Sequence, residues 1–292
     1  MKEVLSHKLN IRNNIAYEVN SQTPFTGYEV QYYENGEIQF KNRYEKGYQE
    51  GESISYFLSG QWNIKANYKE GIQVGPYESY YENGQIFEKG SYKEGLLCGL
   101  WETYNETGQL KEKVTYKVGE EDSPFETYYE TGQLKEKGTY KEYQKDGPFE
   151  TYYENGQLKE KGTYKEGKLD GPSETYRENG QLWGKKTYKE GKEDGPSETY
   201  NQNGKLSNRA NTNNGKRYGL FERYYENGQL MDKITYKEGK RYGPFEAYYE
   251  NGQIFEKGTY KEGEKDGLFE RYRENGQLWA KRTYKDGQII SD

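Results

Sequence analysis

The sequence has almost none of the residues on which metal and thiol chemistry depend. Cys98 is the only cysteine and His7 the only histidine among 292 residues. A single cysteine excludes an internal disulfide and a cysteine-based metal cluster. With a single histidine we expect neither a histidine-containing triad nor a two-histidine metal site, and no EF-hand spacing is present. We therefore expect neither a metal ion nor another cofactor.

Long apolar runs are absent too. No stretch is long enough to span a bilayer, and the first 14 residues, MKEVLSHKLNIRNN, lack the apolar segment of a signal peptide. The localisation stays open: cytoplasmic for the sequence as written, secreted or envelope-associated if a signal peptide has been removed. The net charge of −6 is modest and argues against a general nucleic-acid binder.

Aliphatic residues are scarce, but aromatic residues are not. Hydrophobic residues make up 30% of the chain and charged residues 32%, a composition typical of disorder. The chain nevertheless has 34 tyrosines, 10 phenylalanines and 4 tryptophans. An aromatic side chain buries roughly 150–250 Å² when it packs. The composition therefore indicates an ordered protein whose core is built from tyrosine.

A period of 24 residues organises the chain. The glycine of a repeated turn recurs at residues 36, 60, 84, 108, 132, 156, 180, 204, 228, 252 and 276. We number positions 1 to 24 within a repeat, starting from Gly27. A second glycine occupies position 21, with Tyr143 as the one substitution. The sequence predicts an N-terminal capping segment over residues 1–26 and eleven tandem 24-residue repeats over residues 27–292.

Each repeat contains two short strand candidates, FETYY at positions 3–7 and QLKEKGTY at positions 11–18, joined by ENG. A two-residue type I′ turn competes with a three-residue loop that needs positive φ only at the glycine. Thr107 and Thr131 occupy position 9, and a β-branched residue resists positive φ. We therefore predict the three-residue loop.

This loop predicts a register in which position 6 faces 12, position 7 faces 11 and position 4 faces 14. One face then carries positions 4, 6, 12, 14, 16 and 18, a stripe of tyrosine and leucine, with glycine at position 16 leaving room for a ring. Glutamates such as Glu150 and Glu160 would oppose each other. Proline at position 2 predicts that the segment KEGKLDGP is a long connection outside the strands. The predicted fold is all-β, an elongated single-layer antiparallel β-meander array of 24-residue β-hairpin units.

The repeat GPFETYYENGQLKEKGTYKEGK resembles the bacterial variant of the MORN repeat found in YwqK-type antitoxins. The shared features are the G-P/L-aromatic start, the Tyr-Tyr-x-Asn-Gly turn, the apolar residue two after that glycine, and the x-Tyr-Lys-x-Gly-Lys end. The resemblance implies a non-catalytic scaffold that binds another protein, as in toxin neutralisation or contact with a host surface. The chain lacks the Tyr-x-Gly-x-Trp core of eukaryotic relatives, so lipid binding does not follow.

The sequence offers two candidate binding features. Position 15 is lysine in ten repeats and Arg209 in the other. Either the lysine stems cover aromatic rings at position 3, or the lysines form a basic comb for an anionic polymer or an acidic partner. Aromatic and arginine residues that break the consensus, or stand at position 3, are predicted to line a partner-binding surface: Phe87, Trp101, Arg177, Trp183, Phe255, Arg273 and Trp279.

The same aromatic positions leave an alternative function open, binding of carbohydrate or of the cell envelope with the rings as sugar platforms. Catalysis is not expected, because acidic pairs that recur in many repeats are architectural and catalytic sites are singular. The eighth repeat is the irregular one: Thr212 replaces the tyrosine of position 18, and asparagines surround it. We expect the weakest stripe there, a bend, and the first proteolytic cut near residues 211–214.

Overall fold

The computed structural model describes residues 1–118, 122–142 and 144–291 of the chain. Gly119 and Tyr143, at position 21 of two repeats, lie outside the described residues. The chain forms two compact halves, Met1–Tyr143 and Gln144–Asp292, and each is described by itself.

An N-terminal segment joins the first repeat of the N-terminal half. It contains the strands Glu3–Leu5, Leu9–Arg12 and Ile15–Glu18 and a 3₁₀ turn at Ser6–Lys8. Glu3–Leu5 pairs in parallel with the first strand of the repeat array, with Glu3 opposite Tyr28. Ala16 and Phe25 are buried against Tyr44 of that repeat. The segment therefore covers the outer side of the first repeat.

The rest of the N-terminal half is a series of hairpins. The first strands of its repeats are Gly27–Tyr32, Tyr48–Tyr56, Gly75–Tyr80, Leu96–Tyr104 and Asp122–Tyr128. The second strands are Ile38–Glu45, Trp62–Lys69, Ile86–Lys93, Leu110–Tyr116 and Leu134–Lys141, and Ile72–Gln73 is a two-residue strand between repeats.

The C-terminal half repeats the same order. Its first strands are Gly147–Tyr152, Gly171–Tyr176, Gly195–Tyr200, Gly219–Tyr224, Lys240–Tyr248 and Gly267–Tyr272. Its second strands are Leu158–Lys165, Leu182–Lys189, Leu206–Asn213, Leu230–Lys237, Ile254–Lys261 and Leu278–Lys285. Short strands lie at Gln144–Lys145, Lys168–Leu169, Lys192–Glu193, Lys216–Arg217 and Glu264–Lys265, and Gln288–Ser291 is the last. Successive strands pair antiparallel, which confirms the all-β repeat meander.

The hairpin loop has the predicted three-residue geometry. In the sixth repeat the Tyr153 amide donates to the Gln157 carbonyl at 2.8 Å, and the Gly156 amide donates to the Tyr153 carbonyl at 2.9 Å. Gly156 has φ of 81°, a conformation that glycine adopts without steric cost. The loop therefore tolerates threonine at position 9, as the sequence indicated.

The predicted strand register is correct for the pair of positions 6 and 12, next to the hairpin loop, and wrong for the pairs farther from the loop. Tyr152 faces Leu158, but Thr151 faces Glu160, so Lys159 at position 13 is an extra residue in a β-bulge. Position 4 therefore faces position 15, and position 3 faces position 16. The glutamates of positions 4 and 14 do not oppose each other; Glu150 instead faces Lys161. The bulge also moves positions 14, 16 and 18 to the face opposite that of positions 4 and 6.

The connection between repeats is shorter than predicted. Glu166 and Gly167 have φ of 49° and 75°, and Lys165 pairs with Lys168, so positions 20 and 21 form a two-residue turn. Two successive residues with positive φ are the mark of a type I′ turn. The prediction that proline lies outside the strand is also wrong. Pro172 lies inside the strand Gly171–Tyr176 and pairs with Thr187 of its own repeat. On its other side this strand pairs with the preceding repeat only at Glu174 and Thr175, so no backbone amide is required at residue 172.

Candidate functional site

One face of the sheet carries a ladder of alternating charges. Glu174 at position 4 lies between Lys161 of the preceding repeat, at 2.8 Å, and Lys185 of its own repeat, at 3.4 Å. The hydroxyl of Tyr176, two residues on, donates to Glu174 at 2.6 Å. Glu270 repeats the arrangement between Lys257 and Lys281. These lysines are therefore already paired, which argues against a basic comb for an anionic polymer.

The contacts shift the pKa values of the ladder residues. Hydrogen bonds from Lys161 and then Tyr176 lower the pKa of Glu174 to about 2. Hydrogen bonds from Lys257 and Tyr272 do the same for Glu270, whose pKa is also about 2. Such shifts favour the charged carboxylate. The ladder is a structural feature that stays ionised at neutral pH.

The lysines of this ladder also contact rings, although not those expected. Lys161 lies 5.9 Å from the ring centroid of Tyr176, and Lys257 lies 5.4 Å from that of Tyr272. Both rings occupy position 6 of the next repeat. The predicted contact between positions 15 and 3 is wrong because the bulge places position 3 on the opposite face.

The other face carries an aromatic layer built from positions 3 and 18. Phe149 and Tyr164 lie 4.4 Å apart by ring centroids, and Phe269 stands between Tyr260 and Tyr284 at 5.5 and 5.3 Å. Glycine at position 16 makes room for the rings, as predicted. A Cβ added at residue 258 would lie 2.5 Å from the Phe269 ring. The single tyrosine–leucine stripe is thus wrong, and the aromatic contacts run from position 3 to position 18.

This aromatic layer is interrupted at the eighth repeat, and the gap forms a groove. Ser197 stands at position 3, where seven repeats have a ring, and Thr212 stands at position 18, where the other ten repeats have tyrosine. Small side chains at the neighbouring positions, Thr199, Asn208 and Ala210, line the floor. The groove has a volume of about 640 Å³ and lies within the C-terminal half. This volume is in the range of ligand-binding clefts.

The groove is polar, and its carboxylates are paired. Lys186 forms an ion pair with Glu193, and Arg223 forms one with Asp232 through a bidentate contact. The hydrogen bond to Asp232 raises the pKa of Arg223. Glu256 accepts from Lys265 at 3.0 Å. All three carboxylates that line the groove therefore have a cation beside them.

Two further arginines line the groove and lie on aromatic rings instead. Arg217 and Arg241 both occupy position 23, in the eighth and ninth repeats, and both are exposed. The Arg217 guanidinium lies 4.5 Å from the Phe221 ring centroid, and that of Arg241 lies 5.3 Å from the Tyr260 centroid. Among the residues that the structure describes, neither has a carboxylate within ion-pair distance. The groove thus offers two guanidinium groups to a ligand.

The structure distributes the predicted partner-binding residues along both halves rather than bringing them together. Trp183 and Trp279 are 44% and 58% exposed, and Phe87 is 39% exposed. All three stand at position 13, the extra residue of the bulge. Phe87 packs edge-on against Tyr81, and half-buried Phe255 packs in the same way against Tyr249, each at 5.2 Å.

The remaining predicted residues have other surroundings. Trp101 is 9% exposed and packs on Tyr77, at 5.4 Å between ring centroids, so it belongs to the aromatic layer. Half-buried Arg177 donates to the Tyr200 carbonyl at 2.8 Å, the bond that Tyr153 makes to the Tyr176 carbonyl one repeat earlier. Arg273 is exposed.

The groove arginines were missed from the sequence, although a signal for their site existed. The eighth repeat differs from the others at Thr212, where the tyrosine ring of position 18 is missing. A missing ring close to the arginines of position 23 indicates a polar gap in the aromatic layer. Position 23 itself varies among leucine, isoleucine, glutamine, glutamate, lysine and arginine, and only the two-residue turn places it opposite position 18. The signal was therefore hidden by the longer connection that we predicted.

The described residues do not assemble a metal site or a membrane span. Within them, no group of three histidine, cysteine, aspartate or glutamate residues is placed to hold a metal ion. None of their helical segments has the length and apolarity required to cross a bilayer. The chemistry that the groove can supply is polar and ionic recognition.

Comparison with known families agrees with the repeat geometry. The family model for the MORN repeat variant matches residues 73–94, 97–117, 121–142, 145–166, 169–190, 193–214, 217–238, 241–262 and 265–286. These nine segments cover more than half of the chain. The chain therefore belongs to the MORN repeat variant family, whose repeats generally serve as non-catalytic binding scaffolds.

Other comparisons give little more. Among curated proteins none matches significantly. Solved structures with some similarity include the crystal structure of TcdB2-TccC3-TEV, at 14% identity and a TM-score of 0.20, covering 83% of this chain and 14% of that chain. The crystal structure of TcdB2-TccC3 without its hypervariable C-terminal region is 11% identical with a TM-score of 0.20, covering 93% of this chain and 16% of that one. The chain thus spans under a fifth of their length, and similarity at this level carries no functional argument.

Proposed function

We propose that this chain is a non-catalytic scaffold that binds another protein through the groove over its eighth repeat. Two settings suit such a scaffold, neutralisation of a toxin, as in the YwqK-type antitoxins, and contact with a host surface. A bacterial origin fits both. The observation that carries the proposal is the gap in the aromatic layer at the eighth repeat, the one repeat with no ring at either position 3 or position 18. A repeat array needs no such gap for stability, since each ring packs on its neighbours.

The proposal is tested by filling the groove with the residues of the consensus. The double variant Ser197→Phe/Thr212→Tyr restores rings at positions 3 and 18 of the eighth repeat. Because the new rings can pack on Phe221 and on each other, we expect the variant to fold, and to unfold at the same or a higher urea concentration than the wild type. The new rings fill the groove, so the partner can no longer enter it.

Binding is measured with a partner captured from the native organism, identified by mass spectrometry and then purified. We expect the groove-filled variant to bind it at least tenfold more weakly by calorimetry. The matched control Trp183→Gln/Trp279→Gln changes two exposed aromatics outside the groove and should bind like the wild type. Equal binding by the groove-filled variant contradicts the proposal. For the antitoxin setting, the expected readout is rescue of growth when the captured protein is co-expressed with the wild type.

A second candidate function rests on the exposed tryptophans. Trp183 and Trp279 present 44% and 58% of their surface to solvent, and flat aromatic rings can stack on sugars. If the chain binds carbohydrate or the cell envelope, the wild type is retained on insoluble envelope glycan and Trp183→Gln/Trp279→Gln is not. Retention of both proteins, or of neither, counts against this candidate.

A further inference from the structure

The two arginines of the groove lie on either side of one tyrosine, Tyr236. Arg217 Nη1 lies 3.4 Å from the Tyr236 hydroxyl oxygen. Arg241 stands directly opposite Tyr236 across the turn between repeats. Its Nη1 lies 3.4 Å from the Tyr260 hydroxyl oxygen, and its contact with Tyr236 raises the pKa of Arg241. Both arginines therefore flank Tyr236, although they belong to successive repeats.

The tyrosine is held firmly enough to organise the two arginines. Tyr236 is 8% exposed and belongs to a buried cluster with Ile234 and Tyr260. Its ring meets Phe221 edge-on, at 5.9 Å between centroids. The Tyr236 hydroxyl accepts from Arg217, and the described part of the chain offers its proton no acceptor. An anion placed here receives that proton together with the guanidinium donors.

The charges around the pair decide which anion fits. Glu193, Asp232 and Glu256 line the same groove, and each is neutralised by its own cation. A single carboxylate is attracted by the two arginines without approaching a free negative charge. A polyanion with closely spaced charges would instead extend along the three glutamate and aspartate side chains and be repelled. The chain's net charge of −6 opposes a polyanion further.

We propose that Arg217, Arg241 and the Tyr236 hydroxyl form a carboxylate-binding site that takes a single aspartate or glutamate side chain of the protein partner. Arginine suits this role because its planar fork binds a carboxylate through two parallel hydrogen bonds and stacks on aromatic rings. The inference rests on the proposed function, since it names the chemistry by which the groove recognises its partner.

The test measures binding of a fluorescently labelled peptide, with one glutamate among glycines and serines and an amidated C-terminus, to the full chain by fluorescence anisotropy. We expect the wild type to bind it and Arg217→Gln/Arg241→Gln to bind it at least tenfold more weakly. The matched control is Lys216→Gln/Lys240→Gln, which removes two charges from the neighbouring exposed residues of the same turns and should change the affinity less than twofold. Tyr236→Phe keeps the ring, removes the hydroxyl proton, and should weaken binding severalfold.

Two companion ligands define the chemistry. The same peptide with glutamine in place of the glutamate should not bind, and a deoxythymidine hexamer should bind more weakly than the glutamate peptide. The inference is overturned if the wild type shows no measurable binding of the glutamate peptide, if the arginine and lysine variants lose affinity equally, or if the oligonucleotide binds more tightly. Urea unfolding of each variant checks that it is folded. If Ser197→Phe/Thr212→Tyr loses the captured partner while Arg217→Gln/Arg241→Gln retains it, the scaffold function stands and the carboxylate site does not.

Discussion

At the scale of single residues, the glutamate of position 4 shows how the charged face is stabilised. Glu174 accepts from Lys161 of the preceding repeat and from Tyr176 two residues on. The same two contacts are made, each in its own repeat, by Glu102, Glu246 and Glu270. Exposed ion pairs contribute little singly. A ladder that repeats along the sheet adds many such contributions.

The ladder predicts a specific pH dependence. The pKa of Glu174 is about 2 in the folded chain, below the ordinary value of 4.5. Its contribution to stability is therefore complete above pH 4.5 and is lost as the pH falls towards 2. We expect Glu174→Gln to unfold at a lower urea concentration than the wild type at pH 7, and the difference to shrink to nothing near pH 2. The exposed loop variant Glu178→Gln should show no difference at either pH, and a constant penalty for Glu174→Gln would contradict the account.

Glycine at position 16 gives the second prediction at this scale. Gly258 lies against the Phe269 ring, which is 3% exposed, and a Cβ at residue 258 would approach it to 2.5 Å. Overpacking of this kind costs about 1–3 kcal/mol. Urea unfolding of Gly258→Ala should therefore give a free energy of unfolding lower by about 1–3 kcal/mol than that of the wild type. Thr259→Ala changes the exposed neighbour in the same strand and should alter the free energy of unfolding little. Equal stability of the two variants would show that the ring is free to move.

The sequence predicted that glycine at position 16 leaves room for an aromatic ring, but it did not predict that the ring belongs to position 3. Room for a neighbouring ring follows from glycine alone, because no other residue lacks a Cβ. The identity of the ring depends on the register, and one extra residue at position 13 reverses the faces beyond it. Nothing in the residues at position 13, which range from lysine to tryptophan, marks a bulge.

At the scale of strands and turns, the two turns of a repeat were predicted with different success. Threonine at position 9 correctly excluded a type I′ turn in the hairpin loop. The turn between repeats is the type I′ turn instead, with glutamate at positive φ in most repeats, as at Glu166. Asn214–Gly215 and Asp286–Gly287 occupy the same two positions and are the usual signal for this turn. The prediction of a longer connection rested on proline at position 2 alone.

A carboxylate from one repeat supports this turn in the next. Asp170 Oδ2 accepts from the Glu190 amide at 3.1 Å, and Asp146 Oδ2 accepts from the Glu166 amide at 2.9 Å. Asp170→Ala leaves the Glu190 amide without this acceptor, and we expect a loss of about 1 kcal/mol in the free energy of unfolding. Asp170→Asn keeps a side-chain oxygen and should lose less than half of that amount. Equal losses would mean that the charge, rather than the hydrogen bond, supports the turn.

At the scale of the whole molecule, the repeat period predicted the meander, and one irregular repeat pointed to the groove. The sequence singled out the eighth repeat as weak. It did not indicate that the gap is lined by arginines, since that depends on which positions share a face.

Proteolysis compares the eighth repeat with the others. Its second strand, Leu206–Asn213, lacks the ring that covers this position elsewhere, so local opening should cost least there. We expect limited digestion to cut first near residues 211–214, and Ser197→Phe/Thr212→Tyr to slow that cut relative to the others. Uniform cleavage of all repeats, or a first cut elsewhere in the described chain, would contradict this expectation.

The central claim is that a bulge in each hairpin separates a charged face from an aromatic face, and the groove follows from that separation. Disulfide formation measures it directly in a chain with Cys98→Ser. Ser173 lies opposite Lys186 on the aromatic face, and Lys185 belongs to the charged face. We predict that Ser173→Cys/Lys186→Cys forms an intramolecular disulfide under mild oxidation and that Ser173→Cys/Lys185→Cys does not. Crosslinking of the second pair in place of the first would contradict the account.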